Sequence, residues 1–84
     1  MNAREHFDWA ITRATEYLDL DDAPNAMASL VSDLNKHPGT ATILREDLQF
    51  LMFGEYTVAG TRGVRRFIND LPRPTHDLPT GGGS

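Results

Sequence analysis

An all-α fold, a compact four-helix domain with short connections and a disordered C-terminal tail, is what this sequence predicts. Three observations lead there. Apolar residues recur at helical spacing in four successive segments. Proline, glycine and aspartate separate those segments. The one stretch that admits a strand, Glu55 to Ala59, has no second strand to pair with.

The first helix is expected from about Ala3 to Leu18, with Asn2 as its cap. Phe7, Ala10, Ile11, Ala14 and Leu18 form one stripe at about 100° per residue, with Tyr17 at its edge. The run Asp19-Leu20-Asp21-Asp22 ends it. Carboxylates are poorly placed at a helix C-terminus and well placed before the next N-terminus.

The second helix fits from Ala23 or Pro24 to Lys36. Asp22 caps it, and Pro24 lies in the first turn, where a missing N–H costs nothing. Met27, Leu30, Val31 and Leu34 form the inner stripe, and Ala26 permits close approach of another helix. His37-Pro38-Gly39 is a stop signal.

The third helix is expected from Thr40, with Thr42 as the alternative start, to about Tyr56. Leu44, Leu48, Leu51 and Met52 share one face, while Ile43, Phe50 and Phe53 point elsewhere. The block Phe50-Leu51-Met52-Phe53 is apolar all round, the pattern of a central helix with several neighbours. Gly54 lowers helix propensity and marks an end or a bend.

Val58-Ala59-Gly60 reads as a link, with Thr61 capping a fourth helix from Arg62 to about Asn69. Val64, Phe67, Ile68 and Leu71 form its stripe, and Leu71-Pro72 closes it. The foldable part is thus a single domain over residues 1–71, followed by a Pro-rich tail over 72–80. Residues 81–84, Gly-Gly-Gly-Ser, read as an appended linker. A domain this small buries only about 60% of its unfolded surface, so its expected stability is about 5 kcal/mol or less.

Residues 10–38 carry a further pattern. Ala14, Tyr17 and Leu18 precede an acidic turn, and Ala26, Leu30, Leu34 and Pro38 follow it. This spacing resembles a single tetratricopeptide-type helical hairpin, which implies an antiparallel helix pair. The segment departs from that family at the turn, where Asp21 and Asp22 replace glycine. The chain as a whole is similar in style to small acidic helical proteins encoded by phages or prophages of high-GC bacteria. That similarity implies a short hydrophilic protein acting on a host component.

The absence of cysteine favours a reducing, cytoplasmic setting and removes thiol nucleophiles and cysteine zinc sites. No apolar run approaches the ~18 residues of a membrane span. Net charge is −4, with the excess acid in residues 1–38 and a slightly basic second half. An acidic chain is repelled by nucleic-acid phosphates, so non-specific binding there is not expected.

Chemistry-bearing constellations are thin. His6, His37 and His76 are scattered, and no metal site is expected. His6 reads as a surface residue and His37 as a helix C-terminal cap. Asp19, Asp21 and Asp22 lack the spacing of a calcium loop, so capping accounts for Asp22 and solvation for the other two. Glu55 falls near an apolar face and suits a salt bridge to an arginine of the fourth helix. No glycine pattern cradles phosphate, and no nucleophile accompanies a carboxylate. An enzyme is not expected, nor a cofactor.

What remains points to binding. Trp9 lies nearly opposite Phe7, Ile11 and Leu18, with Leu20 on the same outer side. It is either an interface anchor or the seat of the fourth helix or of the tail around Leu78 and Pro79. Phe50 and Phe53 form an exposed patch if the other helices do not cover them. The leading expectation is a small non-catalytic protein-binding module, a regulator of phage or host that occludes a partner's surface through Trp9, Leu20, Phe50 and Phe53. Its acidic half suits a basic partner. One alternative is a helix-turn-helix-like nucleic-acid regulator reading with Arg62, Arg65 and Arg66. The other is a self-associating assembly protein, a homodimer in the simplest case.

Overall fold

The computed structural model describes residues 2–74, so the expectations for the tail from Thr75 and for the 81–84 linker lie outside the described residues. Among these residues there are three helices: α1 (Ala3–Asp19), α2 (Ala23–Leu34) and α3 (Glu46–Asn69). The expectation of four helices is therefore corrected to three.

The first two arise where the sequence places them. Asn2 and Glu5 form a reciprocal capping box at the start of α1. The Asn2 side chain accepts from the Glu5 N–H at 2.8 Å, and the Glu5 carboxylate accepts from the Asn2 N–H at 3.0 Å. Asp21 turns the chain with a left-handed backbone, φ 59°. Asp22 then caps α2 by accepting from the Asn25 N–H. The two helices run antiparallel, with His6 near the start of α1 meeting Asp33 near the end of α2. Between them lie the fully buried Phe7, Leu30 and Leu34, with Ala10, Ala14 and Ala26 letting the backbones approach.

The third helix begins at Glu46, six residues later than Thr40. Thr40 is completely buried, and its hydroxyl donates to the Leu34 carbonyl at 2.7 Å. It closes the end of α2 instead of opening a new helix. Leu44 fills the core from this non-helical segment, and its carbonyl accepts from the Gln49 side chain at 3.0 Å. Thr40, Thr42 and Ile43 are β-branched and have little helix propensity to resist this arrangement.

The segments expected as a third and a fourth helix are two arms of α3, which bends at Gly60. Only that residue leaves helical geometry, at φ 65° and ψ −144°, a region open to glycine and strained for other residues. Val58 and Ala59 are helical, not a link. The bend brings the arms together at Gly63, where a Cβ would stand 2.4 Å from the Glu55 carbonyl oxygen. Thr61 does not serve as a cap: its hydroxyl donates to the Asp21 carboxylate on the α1–α2 turn.

The first arm of α3 is also not central. It buries Met52 fully and Leu48 and Glu55 in part, while Phe50, Leu51, Phe53 and Tyr56 are exposed. Val64, Ile68 and Leu71 carry the second arm and its end into the core. The antiparallel α1–α2 pair, not α3, is the centre of the domain.

Candidate functional site

Two surfaces hold the residues singled out by sequence. The first surrounds Asp33. Its side chain is 2% exposed although it lies at the C-terminal end of α2, where the helix dipole disfavours a negative charge. Arg13 donates to it at 2.8 Å, Lys36 at 3.2 Å and the Ser29 hydroxyl at 3.2 Å. Burial pushes the Asp33 carboxyl up. The hydrogen bonds from Arg13, Lys36 and Ser29, with the Arg13 charge, outweigh burial and hold it below the usual carboxylate range.

Trp9 lies against this cluster. Its ring stands 5.3 Å from that of His6, with the Arg13 guanidinium 5.1 Å and the Lys36 ammonium 6.0 Å from its centre. The indole therefore makes cation–π contacts with the two cations that neutralise Asp33, whose side chains stay 45% and 59% exposed, and is itself 36% exposed. His6 is buried, which corrects its assignment to the surface. It donates from Nε2 to the Asp33 carbonyl oxygen, and its ring lies 5.3 Å from that of His37. In the turn after α2, His37 accepts the Gly39 N–H on Nδ1 at 2.9 Å. His6 shares the buried face of Ala3, Phe7, Ala10 and Ala14, so its helical spacing was the available signal.

The acidic turn is spent within the chain. Asp19 accepts from Arg65 at 3.0 Å, Asp21 accepts from Thr61, and Asp22 caps α2. The expectation that Asp19 and Asp21 are merely solvated is corrected by these contacts. Arg65 is thereby turned toward α1, while Arg62 and Arg66 stay exposed. Glu55 and Arg66 share a recess of about 170 Å³, and no ion pair joins them. Asp8, beside His6, pairs with Arg73 at 2.9 Å. Among the described residues no group of three or more histidine, aspartate or glutamate side chains could hold a metal ion. Among the same residues no helix is long and apolar enough to cross a membrane.

The second surface is the outer side of the first arm of α3. Phe50 is 76% exposed, Leu51 59%, Phe53 46% and Val58 86%. Phe50 and Phe53 share a shallow recess with Glu46 and Gln49. Phe53 also lines a groove of about 370 Å³ with Met27 and Val31 of α2. The Thr57 hydroxyl donates to the Phe53 carbonyl at 3.0 Å, so even the polar residue of this side is satisfied within its own helix. No charged residue interrupts the outer side from Leu48 to Gly54 or from Tyr56 to Thr61.

The sequence-selected residues thus divide. Trp9 and Leu20 both neighbour Arg13, and Leu20 is 77% exposed beside the α1–α2 turn. Phe50 and Phe53 form the α3 surface. The sequence pattern puts Leu51 on the inner face and Val58 in a link, whereas the structure exposes both on this surface. Comparison with protein-family models, with curated proteins and with solved structures returns no match.

Proposed function

We propose that this chain is a small, non-catalytic protein-binding module whose docking face is the outer side of the first arm of α3. The observation that carries the proposal is the exposure of Phe50, Leu51, Phe53 and Val58 on an arm whose charged residues are confined to Glu46 and Asp47 at its start and the half-buried Glu55. An amphipathic helix ordinarily turns its charged residues to water, and a contiguous apolar face marks a contact surface. Aromatic residues at the centre of such a face carry most of the affinity. The partner surface is apolar and accepts a helix, and the module acts by occluding it.

Trp9 takes a lesser part in this reading, because its ring already contacts His6, Arg13 and Lys36. The acidic half is an equally poor lure for a basic partner, since Asp19, Asp21, Asp22 and Asp33 are engaged inside the chain.

Photo-crosslinking tests the proposal. A benzoylphenylalanine at position 50 should give protein adducts that Phe53→Asp suppresses. The same probe at the exposed Thr12 on α1 should give none of them. Absence of any adduct from position 50, with pure protein and in lysate alike, would refute the docking face.

A further inference from the structure

We infer that the occupant of this face is a second copy of the same chain, packed antiparallel about a two-fold axis at Gly54. The inference rests on the protein-binding reading above and names its partner.

Three observations converge. The first is Gly54 itself. It sits in the middle of a helical arm, where glycine is a poor helix former. A Cβ built there would meet nothing within 4 Å, so no contact inside the chain requires its small size. On the helical wheel it lies at the centre of the exposed face, with Phe50 one turn before and Val58 one turn after. A small residue at the centre of an apolar helical face lets a second helix approach closely, with larger side chains packing on either side.

The second observation is the charge at the two ends of the arm. Glu46 and Asp47 open it, Asp47 paired with the N-cap Arg45 at 3.7 Å, and Arg62 lies just past the bend that closes it. Neither Glu46 nor Arg62 has an ion-pair partner among the described residues. An antiparallel pair centred on Gly54 brings the Glu46 end of each copy to the end of the other from which Arg62 follows, just beyond the Gly60 bend. It also sets Phe50 of one copy against Val58 of the other. The face is therefore complementary to itself, as an isologous contact demands. Antiparallel pairing opposes the helix dipoles favourably as well.

The third is size. About three helical turns of apolar surface fall at the small end of specific interfaces, about 1,000 Å² in total, so the dimer dissociates on dilution.

Sedimentation equilibrium of the full chain over roughly 1–500 μM tests this. A reversible monomer–dimer equilibrium is expected. Phe50→Asp should weaken it roughly 30-fold or more while leaving the circular dichroism of the monomer unchanged. Glu46→Arg and Arg62→Glu should each weaken it about two- to fivefold, and the double exchange should restore it. Gly54→Ala separates an interface role from a structural one. It should raise the melting temperature of the dilute monomer by about 4–8 °C and still weaken the dimer about tenfold.

A chain that stays monomeric throughout overturns the inference, and so does a dimer indifferent to Phe50→Asp. A dimer that the double exchange fails to restore overturns the antiparallel register. If the chain is monomeric while position 50 crosslinks to another protein, the second copy is excluded and the docking face stands. If neither occurs, both are lost.

Discussion

The α1–α2 pair and the first arm of α3 have similar apolar content and use it in opposite ways. In the pair, the apolar stripes face each other, and the buried polar groups His6 and Asp33 are bonded across the two helices. Trp9 lies over the cations of that network. In the arm, Met52 alone is fully buried, and the aromatic side chains face outward. Apolar content alone therefore does not say which helix is the core. What matters is whether the facing surface exists inside the chain.

The comparison can be broken most severely from the side of the pair. Phe7→Ala should cost about 3–5 kcal/mol in a urea titration, close to the whole stability of so small a domain. A loss below about 1 kcal/mol would mean that the α1–α2 contact is not where the fold is held.

Removing Asp33 comes next. Asp33→Ala leaves Arg13, Lys36 and Ser29 without their shared acceptor and should cost about 1–3 kcal/mol. The same residue sets a pH dependence. Its folded-state pKa is depressed, so its stabilising contribution is fully present above the ordinary carboxylate range. That contribution is lost as pH falls from that range through the lower folded-state value. Stability followed between neutral and acidic pH should show this loss in the parent and a smaller one in Asp33→Asn. Equal slopes in the two proteins would remove Asp33 from the account.

The smallest effect sharpens the picture of the acidic turn. Asp19→Ala breaks an ion pair with Arg65 that is open to solvent on both sides. It should cost at most about 0.5 kcal/mol, and less at high salt.

Much of the pair was legible in the sequence because its signals are local. Asn2 and Asp22 announced the helix starts, and the stripes through Phe7 and Leu30 gave the inner faces. Other features depend on contacts between distant segments. Thr40 looks like a helix cap until its hydroxyl is seen closing α2. Gly60 looks like part of a link, yet the single residue out of helical geometry suffices to fold the arm back, and the helix resumes at once. The block around Phe50 and Phe53 suggests a central helix, and the structure leaves both residues exposed. A block that is apolar all round implies neighbours, but the sequence does not say whether those neighbours belong to the same chain. The cluster of His6, Trp9, Arg13 and Asp33 has no sequence signature as a unit, because its members lie on two helices whose register no local pattern fixes.

The central claim, that the outer side of the α3 arm contributes to contact and not to the fold, is tested most directly by one unfolding experiment. It compares the parent with the double variant Phe50→Asp, Val58→Asp in urea at low micromolar concentration. The account predicts midpoints within about 0.5 kcal/mol of each other, as for exposed positions. A loss of about 3 kcal/mol or more, the magnitude expected of core aromatics, would show that this face is packed within the monomer and would contradict the account.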